Sequence, residues 1–319
     1  MPFIMQDRAM PEPRRDRLAA LFGALSLALA NTSAADAAMP QNPWNSAAPT
    51  PFEITDSGQG GTASDVSATP VQTYADLVDL ALASRVVATA TIRRQTRLKP
   101  DEAPGVAPGY ARLYIEADMS ALLVGPELGE SLRFLADVPL DAKGKPPKLN
   151  KTQVLLFGTT VPNKPGELLL VASDTMFTWS PELENRVRAI LTELVSPDAP
   201  PRITGLREAL HVPGNLVSEG ETQFFFATDN GKPVSISVLR RPGMAPHWGV
   251  SFSEIVDQSA TPPKPETLAW YRLACTLPSA IPDRAQISTT AADRRIATED
   301  YAMVLASLGP CLRNRTVTH

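Results

Sequence analysis

The sequence predicts a mainly β chain with flanking helices, an α+β arrangement. A small antiparallel barrel of OB-like type comes first, followed by a second antiparallel β unit and a disulfide-pinned C-terminal helix. Three observations carry this expectation. Between residues 86 and 172, short apolar runs, most of them alternating, are separated by turn-forming stretches rich in Pro and Gly. The alternation returns between residues 222 and 252, around an Asn-Gly pair. The two cysteines, Cys275 and Cys311, both fall in the last stretch of chain, one on each side of the final predicted helix.

Residues 1–37 read as a signal peptide. Arg14, Arg15 and Arg17 precede the uncharged run Leu18 to Ala30, and Ala35-Asp36-Ala37 follows. A basic segment, an apolar segment and an A-x-A site, in that order, mark a chain for export and cleavage, here after Ala37 or secondarily after Ala30. As a helix the apolar run would rise about 20 Å, short of the ~30 Å hydrocarbon core, so cleavage is favoured over a retained anchor. Asp16 follows the arginine pair where a twin-arginine signal carries an apolar residue, which favours ordinary export. Residues 38–72, rich in Pro, Gly, Ser and Ala, read as a disordered linker that buries too little apolar surface to offset its ordering entropy; Trp44 and Phe52 are the exceptions.

Residues 73–196 read as the barrel-like domain with a helix at each end. Thr73 is an N-cap with Asp76 in the first turn, and Tyr74, Leu77, Val78 and Ala81 follow at helical spacing. Val86 to Ile92, Leu113 to Met119 and Leu132 to Val138 alternate as half-buried strands, and Val154 to Phe157 and Glu167 to Ala172 complete five. Ser180-Pro181 with Glu182 and Glu184 starts a helix whose stripe is Leu183, Val187, Ile190, Leu191 and Leu194. Residues 197–319 read as a second β-meander unit. A helical turn is expected at Leu206 to Leu210, then three strands over Thr222 to Thr228, Val234 to Val238 and Trp248 to Phe252. Asn230-Gly231 predicts a type I′ turn between the first two of these strands. Thr267 to Thr276 is expected as a fourth strand, with a spacing that also allows a helix. The last helix is expected from Thr298, with Glu299 and Asp300 at its positive end and Gly309-Pro310 as its stop.

Composition narrows the function. Removing residues 1–37 takes four bases and four acids, so the net charge stays at −4. A mildly acidic chain has no general pull toward nucleic acid or anionic lipid. Aromatic residues at 6 % leave little for stacking on carbohydrate. In an exported chain an even cysteine pair predicts a disulfide, Cys275–Cys311, whose wide spacing lacks the C-x-x-C of redox and zinc sites.

Motifs of chemistry are missing. The histidines are His211, His247 and His319, with no H-E-x-x-H. Gly249-Val250-Ser251-Phe252-Ser253 has Ser253 where a nucleophile elbow needs glycine. No phosphate loop or calcium loop appears, and no cofactor or metal is implied. Two basic clusters, Arg93, Arg94, Arg97 and Lys99 and then Lys143, Lys145, Lys148 and Lys151, are flanked by Asp101, Glu102, Asp137 and Asp141 and read as solvated loops.

The expectation is an exported, non-enzymatic β-rich binding or scaffold protein of the cell envelope, periplasmic or secreted. Its partner is an envelope protein or ligand that the sequence does not identify, and it has no membrane span after signal cleavage. The alternative is a periplasmic hydrolase with a site assembled from distant residues, for which His247 and His211 are the weak candidates. An OB-like nucleic-acid binder is the lesser alternative.

Overall fold

Thr73 starts the first helix with a reciprocal cap. Its hydroxyl accepts from Asp76 N (3.1 Å), and the Asp76 carboxylate accepts from Thr73 N (3.0 Å). The computed structural model describes residues 72–253 and 260–315. The signal-peptide reading, residues 38–71 of the linker with Trp44 and Phe52, and His319 lie outside the described residues.

Helix α1 (Tyr74–Ala83) leads into β1 (Val86–Arg97), β2 (Tyr110–Val124), β3 (Ser131–Pro139), β4 (Gln153–Thr160) and β5 (Glu167–Leu170). These five strands close in the order β1-β2-β3-β5-β4, with β4 returning to pair with β1. All pairings are antiparallel except β3 with β5. The predicted small barrel is therefore present and closed. Strand β6 (Met176–Thr178), absent from the sequence expectation, pairs with the start of β4.

Alternation explains the barrel. In β3 the pattern of buried and exposed residues is strict, with Leu132, Phe134, Ala136 and Val138 inward. Strands β1 and β4 differ because both of their faces are covered. Ala88, Ile92 and Leu156 fill the barrel, whereas Val87, Leu155 and Phe157 pack beneath α1. That second core also takes in α2 (Pro181–Val195), capped by Ser180 as expected.

The second sheet has four strands in the order β10-β9-β8-β7: β7 (Ile203–Pro213), β8 (Gly220–Thr228), β9 (Val234–Arg240) and β10 (His247–Ser251). Helices α3 (Leu268–Ala274) and α4 (Ala291–Leu308) follow. Phe224, Ile236, Trp248, Leu273 and Tyr301 belong to the same apolar cluster as Leu77, Phe157 and Ile190, so α1 and α2 share one core with the second sheet. All described residues fall within one compact unit.

Four local expectations are corrected. Leu206 to Leu210 is strand, not a helical turn. Register shifts near Gly205 and between Leu206 and Glu208 space the buried residues Ile203, Leu206 and Ala209 three apart, a spacing that imitates a helix. Thr267 to Thr276 is not a strand; it holds the short helix α3, whose N-cap hydroxyl on Thr267 accepts from Trp270 N. The last helix starts after Thr290, whose hydroxyl accepts from Asp293 N, so Asp300 lies mid-helix and fully buried. The β8–β9 turn spans five residues and is not type I′. Only Gly231 has positive φ (74°), and the Asn230 side chain accepts from Lys232 N in an Asx-type turn.

Candidate ligand-binding cleft

The C-terminal tail explains how a helix as buried as α1 can carry two acids. Asp76 and Asp79 both lie on buried positions of α1. Asp76 accepts from the backbone N–H groups of Asn314 (3.0 Å) and Arg315 (3.1 Å) in addition to its cap bond. Asp79 accepts from Arg313 Nε (2.6 Å) and from the Tyr271 hydroxyl. The predicted disulfide joins Cys275, at the end of α3, to Cys311 at the start of that tail. The tail is thus fixed covalently at one end and by charged hydrogen bonds at the other.

A cleft of about 520 Å³ opens where the tail passes the start of α1, the middle of α2 and the start of α3. Tyr74, Trp270, Arg186, Glu266, Pro310 and Leu312 line it. The volume lies in the range of small-molecule sites. Tyr74 and Trp270 meet edge to face, with ring centroids 6.2 Å apart. Trp270 is held by its indole N–H, which donates to Leu308 O (2.8 Å).

Tyr74 is 7 % exposed, and its hydroxyl, shielded from solvent, has no hydrogen-bond partner among the described residues. Burial, then the nearby charges of Glu193 and Glu266, push its pKa far above the ordinary tyrosine value. The phenol therefore stays protonated, a donor without an acceptor. Such groups are rare in native structures and ask for an explanation. Arg186 Nη1 donates to Gln72 O (3.2 Å), and the guanidinium has no carboxylate partner among the described residues. Glu266, also without an ion-pair partner among them, sits at φ +56°, an unusual backbone state for a non-glycine residue.

The histidines lie elsewhere. His211 is 4 % exposed on β7. Its Nδ1 is 2.8 Å from Thr222 Oγ1, and the Thr222 hydroxyl donates to Asp300. Threonine has one hydroxyl hydrogen, so the His211 Nδ1–H must be the donor toward Thr222. The hydroxyl stands between histidine and carboxylate, whereas a hydrolytic triad needs the histidine in the middle. Arg240 Nη2 donates to Asp300 Oδ1 (2.6 Å), completing a buried network that fixes α4 to the sheet. The ring of His211 packs against Gly220, where an added Cβ would fall 2.6 Å from Cε1. Desolvation holds the His211 pKa below its ordinary value. His247 is exposed at the start of β10 and pairs in register with Leu239. Neither histidine lines the cleft. Among the described residues no group of three or more His, Cys, Asp or Glu side chains clusters to hold a metal ion.

The structure brings together the two basic clusters that are separate in sequence. The Gln95 amide clamps the β3–β4 loop, donating to Pro147 O (2.8 Å) and accepting from Leu149 N (2.6 Å). Arg97 reaches Gly144 O (3.2 Å) from the same strand. Arg93 and Arg94 are ion-paired with Glu116 or Asp118 of β2, so part of this charge is already neutralised.

The cleft residues were not legible as a site in the sequence. Tyr74 reads there as one member of an apolar stripe, Trp270 falls in the presumed strand, and Arg186 and Glu266 carry no motif. The turn before the Thr267 cap is the one local signal, since Pro265-Glu266 precedes it. No protein family matches the chain, and no curated protein matches it. What the cleft can do follows from its own geometry.

Proposed function

We propose that the chain is an exported, non-enzymatic binding module of the cell envelope, with its ligand held in the cleft between α1, α2, α3 and the C-terminal tail. One observation carries this reading: a cleft of about 520 Å³ walled by Tyr74, Trp270, Pro310 and Leu312 and lined by Arg186 and Glu266, neither of which has an ion-pair partner among the described residues. A ligand that pairs with those two charges and covers the apolar wall would offset the water it displaces. The Cys275–Cys311 disulfide is suited to an oxidising compartment outside the cytosol. The order of Arg14 to Arg17, Leu18 to Ala30 and Ala35 to Ala37 supports export to that compartment. Among the described residues no helix is long and apolar enough to cross a membrane. The hydrolase alternative gains no support from His211, whose ring is enclosed, or from His247, which is exposed on β10 and does not line the cleft.

The test has two arms. Amino-terminal sequencing of protein recovered from cells should give a mature start after Ala37; cytosolic protein retaining Leu18 to Ala30 with reduced cysteines contradicts export. A dialysable small-molecule fraction from the envelope should raise the unfolding temperature of the wild type and not of Trp270→Ala. Turnover of a hydrolase substrate panel that is lost in His211→Ala would contradict the binding-module reading.

A further inference from the structure

We infer that the cleft takes a short peptide with free ends, its carboxylate on Arg186, its ammonium on Glu266 and its apolar side chain against Trp270 and Leu312. The inference rests on the cleft being the binding site and adds the chemical class of the ligand.

The charges decide the class. Arg186 and Glu266 come from different elements, line one cleft, and have no ion-pair partner among the described residues. The guanidinium uses one N–H on Gln72 O and keeps others for a planar acceptor. A simple anion would satisfy Arg186 and place a like charge beside Glu266. A simple cation would do the reverse. A neutral apolar molecule would displace water from both charges and pair with neither, which costs free energy. A zwitterion re-pairs both.

The remaining surface decides the size. Tyr74, Trp270, Pro310 and Leu312 form an apolar wall, and Leu312 is 66 % exposed although its backbone is fixed beside the disulfide. Leu312 thus adds an accessible apolar side chain to the wall that Tyr74, Trp270 and Pro310 begin. The Tyr74 ring, with its hydroxyl enclosed behind it, adds to that wall. A cleft of about 520 Å³ has room for a dipeptide or tripeptide.

The test is calorimetric titration of the purified chain with the dipeptide Ala-Phe, its N-acetyl form, its C-terminal amide and the doubly blocked form. Ala-Phe should bind, and blocking either end should weaken binding about tenfold or more, the usual effect of losing a hydrogen bond to a charged group. Glu266→Gln should abolish the preference over the N-acetyl form alone. Arg186→Gln should abolish the preference over the amide alone. Trp270→Ala should weaken all forms several-fold. This pairing of each variant with one ligand end is a pattern that general misfolding does not produce.

Equal binding of free and blocked forms, lost in Trp270→Ala, overturns the zwitterion and leaves the cleft as the site. No binding of any form, with the envelope fraction still stabilising the wild type, overturns the peptide class alone. No binding by either overturns both.

Discussion

Tyr74→Phe should make the protein more stable. The substitution removes one buried oxygen and keeps the ring that packs 6.2 Å from Trp270. A buried polar group left without a partner costs about 1–3 kcal/mol, and the Tyr74 hydroxyl is such a group. Its removal should therefore stabilise the fold by about 1 kcal/mol or more at the low end of that range. For a unit of this size 1 kcal/mol shifts the unfolding temperature by about 2–4 °C. The assay is urea unfolding followed by fluorescence, in which the midpoint should rise with an unchanged slope. Tyr301→Phe is the matched control. That hydroxyl donates to Pro278 O (2.8 Å), so its loss should destabilise by about 1 kcal/mol. A lower midpoint for Tyr74→Phe, equal to that of Tyr301→Phe, would mean that the Tyr74 hydroxyl is satisfied in the folded protein.

Replacing both Cys275 and Cys311 with serine opens a loop closed across 36 residues of sequence; the chain-entropy relation gives a loss of about 4 kcal/mol, and a change under about 1 kcal/mol in urea unfolding would contradict it. Arg240→Met leaves the fully buried Asp300 with Thr222 as its remaining side-chain donor, and should cost about 3–5 kcal/mol in the same assay; a neutral result would mean the network does not hold α4. Acid should weaken the fold through His211. Its pKa is lowered in the folded state, so below its ordinary value of 6.5 the unfolded chain takes up a proton that the folded chain resists. The contribution is complete above that value and fades as pH falls through the lower, folded one. Between pH 7.5 and 5 the urea midpoint should fall, and more steeply for wild type than for His211→Gln; parallel profiles would refute the assignment. Asp137, held below the carboxylate range chiefly by its hydrogen bonds from Arg112, acts in the same direction at lower pH.

Local rules carried the parts of the fold they govern. The Thr73 and Ser180 caps, the alternation of Leu132 to Val138 and the Gly309 stop are set by near neighbours, and each was readable from a few residues. The cysteine pair was readable because two cysteines leave a single possible pairing. The errors arose where distant packing overrides local pattern. Bulges in β7 disguised a strand as a helical repeat. Asp300 looked like a charge favouring a helix start because its partners, Thr222 and Arg240, lie 78 and 60 residues away. The cleft was the least legible feature. An unpaired hydroxyl is a statement about every neighbour at once, and Tyr74 in sequence is simply an aromatic residue at a helical position. Arg186 and Glu266 become a pair only when α2 and the turn before α3 are brought to one opening.

The central claim is that ligand enters beside Trp270. The chain has four tryptophans, and three indole N–H groups have distinct fixed partners: Trp179 on Glu184, Trp248 on Ser307 and Trp270 on Leu308 O. Indole N–H resonances of the purified chain, followed while the stabilising envelope fraction is added, test the claim most directly. The account predicts that the Trp270 resonance moves while those of Trp179 and Trp248 stay in place. A stationary Trp270 with either of the others moving would put the ligand elsewhere and contradict it.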